Sequence, residues 1–126
     1  KRISRAIQEA GLQGHNTLRF NDLIVQRYPP GCRGITPHRD HVRYRIVVAI
    51  FLLSGDGDFC TCDNRKGAGA KPIPARPGDL LLMTAPGLAE EQPGPLHFVN
   101  GVTHRRRTIG LRYDARAMND DEFEKA

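Results

Sequence analysis

Ile46-Val47-Val48-Ala49-Ile50-Phe51-Leu52-Leu53 is the longest apolar run in the chain. Eight residues make a strand, far short of the ~18 that a membrane helix needs. The run stops at Gly55-Asp56-Gly57, and the same rhythm of a short apolar or alternating segment closed by Gly or Pro continues in both directions. Upstream lie candidate strands Asn21–Tyr28, Gly34–His41 and Tyr44–Leu53, the first two separated by Pro29-Pro30-Gly31. Downstream lie Asp58–Asp63, Lys71–Arg76, Asp79–Thr84, Pro95–Val99 and Arg105–Asp114, with breaks at Lys66 to Gly69, Arg76-Pro77-Gly78 and Pro86 to Pro95. Strands so divided predict an antiparallel sandwich or barrel. Helical spacing survives only at Ile3, Ala6, Ile7, Ala10 and Leu12, which predicts one short N-terminal helix, Lys1 to Gly11, ending at Gly11 or Gly14.

With 126 residues, 39% of them hydrophobic, the chain suits a single domain over 1–118. Residues 119–126 form an acidic tail. No secretory signal opens the sequence, and three cysteines are too few for a disulfide framework, so a reducing, cytoplasmic setting without a membrane is expected. The net charge is +5, and it rises to +8 once the tail from Asn119 is set aside. Fifteen of the nineteen bases are Arg, which favours bidentate binding of carboxylate or phosphate and permits a nucleic-acid partner.

His38-Arg39-Asp40 is the first place where chemistry gathers. On a strand, residues two apart share a face, so His38 and Asp40 would project together about 7 Å apart at Cα. An imidazole and a carboxylate on one face are two ligands of the facial triad of non-haem iron. A kinase catalytic loop fails as a reading, because no Lys or Asn follows at the required places. A third ligand has to come from His15, His41, His97 or His104. Of these, His97 lies in a short strand of its own and His104 is its main rival. If Asn100-Gly101 closed a two-residue hairpin, His97 would face His104.

The last strand alternates. Arg106, Thr108, Gly110 and Arg112 lie on one face, and Arg107, Ile109, Leu111 and Tyr113 on the other. One reading buries Ile109 and Leu111 and leaves the arginines in water. The other turns Thr108 and Gly110 into a hollow between two guanidinium groups, a site for a dianion. Cys60-Thr61-Cys62 reads as small half-buried side chains rather than metal ligands, and Asp56-Gly57-Asp58 as a hairpin turn rather than a calcium loop. Arg43, Arg45 and Arg65 are placed either in solvent or against an anionic substrate.

Taken together, these residues resemble the Fe(II)/2-oxoglutarate-dependent dioxygenase family over Asn21 to Tyr113, about three quarters of the chain. The family's elements come in order: Tyr28-Pro29-Pro30-Gly31, His38 and Asp40, the strand Ile46–Leu53, Gly57-Asp58-Phe59, Pro77-Gly78-Asp79-Leu80, His97-Phe98-Val99, and the Arg-bearing last strand. The resemblance implies a double-stranded β-helix (jelly-roll) core with the N-terminal helix packed on it. It also implies Fe(II) held by His38, Asp40 and His97, with 2-oxoglutarate and O2 as cosubstrates. Arg106 would grip the distal carboxylate of 2-oxoglutarate and Tyr28 would hydrogen-bond that cosubstrate. Arg112, six residues after Arg106, is similar to the second arginine of AlkB-type dealkylases. That subfamily has Asn-x-Tyr where this chain has Gln26-Arg27-Tyr28, and the short step from His97 to Arg106 is closer to prolyl-hydroxylase-like members.

The implied reaction converts 2-oxoglutarate to succinate and carbon dioxide while hydroxylating a C–H bond. An N-methyl group so hydroxylated leaves as formaldehyde. The basic body and the paired arginines favour oxidative N-demethylation of nucleic acid. The chain has no Trp and places 37 residues before His38, so a base-gripping lid lies upstream of Lys1 or the substrate is a protein side chain or small molecule. The competing function of another class is a non-catalytic basic jelly-roll that binds an anion or nucleic acid. A cupin-like metal protein, which has no need of Arg106, is the third.

Overall fold

The computed structural model describes residues 1–12, 18–88 and 91–116. Helix α1 (Arg2–Glu9) precedes strands β1 (Asp22–Tyr28), β2 (Ile35–His38), β3 (Val47–Ser54), β4 (Asp58–Cys62), β5 (Lys71–Pro72), β6 (Leu80–Thr84), β7 (Leu96–Asn100) and β8 (Arg106–Arg112). The strands form two four-stranded antiparallel sheets, ordered β1-β8-β3-β6 and β2-β7-β4-β5. The pairings β1 with β8, β2 with β7, β3 with β6 and β4 with β5 nest inside one another along the chain. The chain is thus a long hairpin folded at β4–β5 and rolled so that successive rungs fall in opposite sheets. Among the described residues no helix is long and apolar enough to cross a membrane.

Side chains alternate across each sheet, so one set fills the space between the two. Tyr28, Val48, Phe59, Met83, Val99 and Val102 make that core. Helix α1 lies on the outside of the first sheet and buries Ile7 with Ile46 and Val47, flanked by Ile3, Phe20 and Tyr113. It stops where predicted. Gly11 takes φ +73, and the Gly11 and Leu12 amides close back on the Gln8 and Ile7 carbonyls at 2.9 and 3.1 Å, the paired bonds of a left-handed C-terminal cap. On the same outer face Leu23, Val25, Leu80 and Leu82 remain exposed.

Seven of the eight strands are shorter than predicted, several of them for local reasons, while β7 keeps its five residues one position later. β3 starts at Val47 rather than Tyr44 because Ile46 sits at φ +71, a conformation that a β-branched residue seldom adopts. β5 ends at Pro72: the Ile73 amide still reaches the Phe59 carbonyl at 2.8 Å, but Pro74 has no N–H with which to carry the ladder on. β2 starts after Gly34, whose φ is +76 and where a Cβ would lie 1.9 Å from the Val99 carbonyl oxygen. Only glycine fits there.

The conditional hairpin at Asn100-Gly101 does not form, and the hairpin turn read at Asp56-Gly57-Asp58 is corrected. β7 lies between β2 and β4 and β8 between β1 and β3, so Asn100-Gly101 leads into a crossover between sheets and His97 does not face His104. Asp56-Gly57-Asp58 likewise is no hairpin turn, since it carries the chain from β3 in one sheet to β4 in the other. His15 and the tail 119–126 lie outside the described residues.

Candidate metal centre and anion cleft

His38 ends β2 and stands opposite His97 of β7. The predicted placement of Asp40 on the same strand is corrected, because β2 stops at His38 and Asp40 lies just beyond it. Its carboxylate nevertheless returns to the pair: Asp40 Oδ1 is 3.4 Å from His97 Nε2 and 3.8 Å from His38 Nε2. Ligand atoms of all three residues lie within 4.8 Å of one another, and among the described residues they are the one such group that could hold a metal ion. Ligands bonded at about 2.1 Å and mutually at right angles stand about 3 Å apart, so this trio is slightly open for an ion.

Both imidazoles are already oriented, each held through Nδ1 with Nε2 turned toward Asp40. His38 Nδ1 donates to the Thr36 carbonyl at 2.8 Å and His97 Nδ1 to the Pro95 carbonyl at 2.9 Å. A carbonyl only accepts, so each Nδ1 carries a proton and Nε2 is the nitrogen left to face Asp40 and a metal. Phe59 stacks on the His97 ring at 5.5 Å between centroids. On the far side of Asp40, Arg112 Nε donates to Oδ2 at 3.1 Å. Burial alone would raise the Asp40 carboxyl. The His97 hydrogen bond and the Arg112 guanidinium outweigh it and hold the group below the usual carboxylate range.

β8 decides between the two readings of its alternation. Arg106, Thr108, Gly110 and Arg112 are buried, whereas Arg107 is exposed and Ile109 and Leu111 are only half-buried. The reading that left all the arginines in water is overturned, because the Arg106–Arg112 face looks into the space between the sheets. The hollow is narrower than predicted. A Cβ on Gly110 would lie 2.4 Å from Arg112 Nη1, so the Arg112 guanidinium itself folds back over Gly110 to reach Asp40. Gly110→Ala is therefore expected to leave the fold intact but to push Arg112 off Asp40. We expect Mn(II) affinity to fall about 10-fold or more, as for other outer-shell partners of metal ligands. Titration calorimetry beside circular dichroism checks both halves.

Arg106 is 3% exposed and pairs in register with Tyr28 of β1. Its Nη1 donates to the carbonyls of Asp56 at 3.2 Å and Gly57 at 3.4 Å. Its Nε and Arg112 Nη1 are buried without a hydrogen-bond partner. Burial pulls the Arg106 guanidinium below its ordinary pKa, partly offset by Tyr28, Asp56 and Asp58. The Tyr28 phenol is raised, again by burial first. Both arginines, Tyr28, Gln26, Thr108 and apolar walls from Ile35, Ile50 and Val99 line a narrow cleft, with about 30 Å³ of free space, that opens beside His38 and His97. A buried donor left unpaired costs about 1–3 kcal/mol, more if charged. Both of these unpaired guanidinium nitrogens belong to residues that line this one cleft.

No family model and no curated protein matches this chain.

The remaining predicted residues divide by what they touch. His104 is exposed and bonds to Asp56 at 3.2 Å, outside the metal-ligating trio, and His41 is exposed. Arg43 pairs with Asp114 at 3.2 Å and donates to the Tyr44 hydroxyl at 2.8 Å, while Arg45 pairs with Glu91. Both are internal tethers. Arg65 is exposed. Cys60 is buried and Cys62 half-buried, both free thiols, as read. Gln26 lines the cleft and its Oε1 stands 3.5 Å from the Thr108 hydroxyl. Sequence reasoning missed the Thr36 and Pro95 carbonyls, since every residue carries one. It also left Phe59 without a role, although alternation along Asp58–Asp63 sets it on the opposite face from Cys60.

Proposed function

We propose that this chain is an Fe(II)- and 2-oxoglutarate-dependent dioxygenase built on a double-stranded β-helix (jelly-roll) core. One observation carries the reading: a His-Asp-His trio with both imidazoles already oriented toward the carboxylate lies beside a cleft lined by the under-bonded, buried Arg106. The nested order β1-β8-β3-β6 and β2-β7-β4-β5 supports the jelly-roll, as do the motifs in their order.

His38, Asp40 and His97 would hold the iron. When bound, iron with 2-oxoglutarate supplies the oxidising power for hydroxylating an unactivated C–H bond. Arg106 supplies a charge-assisted fork for the distal carboxylate, and Tyr28 beside it a phenolic O–H that burial keeps protonated. Ile35, Ile50, Val99 and Phe59 exclude water from the carbon chain between, which strengthens every charge interaction at its ends. Arg112 keeps the Asp40 carboxylate ionised and aimed. Nucleic acid is the substrate class favoured by the excess of arginine, with N-demethylation as the reaction.

The test is release of succinate from 2-oxoglutarate with Fe(II), ascorbate and O2, across a panel of methylated nucleic acids, with formaldehyde read in parallel. Iron-dependent succinate that disappears in His38→Ala is the expected result. Salt-sensitive nucleic-acid binding without turnover sinks the reading and leaves a basic, non-catalytic β domain. Succinate without formaldehyde on any member of the panel redirects the substrate to a protein side chain or a small molecule.

A further inference from the structure

Asp56 has an environment unlike any other carboxylate in the described residues. It stands in the crossover from β3 to β4, and its Oδ1 accepts the backbone amides of Thr103 and His104, both at 2.8 Å. Its Oδ2 accepts the Thr103 hydroxyl and faces His104 Nδ1 at 3.2 Å. Thr103 and His104 belong to the other crossover, from β7 to β8, which ends at Arg106. The main chain of the same aspartate works in the opposite direction, since its carbonyl oxygen accepts Arg106 Nη1 at 3.2 Å.

The two crossovers are also pressed together beyond these bonds. A Cβ on Gly55 would lie 2.2 Å from the Arg105 carbonyl oxygen, and one on Gly57 3.1 Å from Val102. One residue therefore fixes both ends of Arg106, the backbone through the crossover it clamps and the guanidinium through its own carbonyl. That matters because a fork recognises a carboxylate only when its position is held to within about 0.5 Å.

We infer that Asp56 is a positioning residue for the anion site, a latch between the two crossovers that sets how tightly Arg106 holds a dicarboxylate. This rests on the proposed use of 2-oxoglutarate. The Asp56 carboxylate contacts neither a cleft-lining side chain nor the metal trio, so its loss should weaken the keto-acid and spare the ion.

The experiment is a double-mutant cycle on the full chain, with Mn(II) in place of iron and titration of 2-oxoglutarate by calorimetry. Asp56→Ala should weaken 2-oxoglutarate about 10-fold, the low end for an outer-shell partner, with Mn(II) affinity within about twofold of wild type. Asp56→Ala combined with Arg106→Ala should be no weaker than Arg106→Ala alone, because the latch acts only through that arginine. Thr103→Val, which removes one hydroxyl and keeps the shape, should give a smaller loss in the same direction and serves if Asp56→Ala does not fold. An additive double variant, an equal loss of Mn(II), or unchanged 2-oxoglutarate affinity in both Asp56→Ala and Thr103→Val overturns the latch alone. Failure of the wild-type protein to bind 2-oxoglutarate overturns the latch and the proposed function together.

Discussion

His97→Ala is expected to reduce Mn(II) or Fe(II) affinity by more than about 100-fold, beyond the range of outer-shell changes, while His104→Ala leaves it unchanged. The contrast follows from position. His97 is 5% exposed, its Nδ1 is tied to Pro95 and its Nε2 points at Asp40, so alanine removes a ligand that is already oriented. His104 keeps 82% of its side chain in solvent and serves the Asp56 clamp. Asp40→Asn makes a sharper companion. It removes a ligating charge and strips Arg112 of its only ion pair in the described residues, leaving a buried guanidinium uncompensated. Breaking one side of a buried pair costs about 3–5 kcal/mol, so Asp40→Asn should lower the melting temperature as well as metal affinity. His97→Ala should act mainly on the metal. Metal bound normally by His97→Ala but lost in His104→Ala would reverse the choice of third ligand.

How far the sequence could be read depends on whether the deciding forces were local. The eight strand positions were legible because alternation and Gly or Pro breaks are local, and the end of α1 was legible because Gly11 can take a left-handed conformation. Which face of β8 goes inside was not. By hydrophobicity alone, Ile109, Leu111 and Tyr113 outweigh a face carrying Arg106 and Arg112. The arginine face is nevertheless the buried one, because it looks toward the opposite sheet, and a second sheet leaves no mark on the strand it covers. Asn100-Gly101 shows the same limit: a good local turn signal yields when both edges of β7 are already paired. The trio itself was legible as residue types. Its convergence was not, since the strand argument for Asp40 fails one residue past His38 while the carboxylate still arrives.

Arg106→Ala should weaken 2-oxoglutarate at least about 30-fold, because truncating one member of a buried, hydrogen-bonded charge pair removes about 2–5 kcal/mol of binding. Arg107→Ala, one residue along the same strand, should change it less than about twofold, as exposed charges away from a site contribute little. The two side chains share a strand and a charge and differ in face, so the pair isolates geometry from electrostatics. Arg106→Lys should fall between wild type and Arg106→Ala, since an ammonium keeps the charge but loses the fork. Thermal melting supplies a readout apart from turnover. A ligand present at about 100 times its Kd stabilises the folded state by about 2.7 kcal/mol, so adding 2-oxoglutarate to the Mn(II)-loaded protein should further raise the melting temperature of wild type and Arg107→Ala, and that of Arg106→Ala much less. Without ligand, Arg106→Ala should melt close to wild type, because the guanidinium it removes is desolvated and has an unpaired nitrogen. A large loss of stability in the ligand-free variant would mean that Arg106 holds the fold together rather than waiting for an anion.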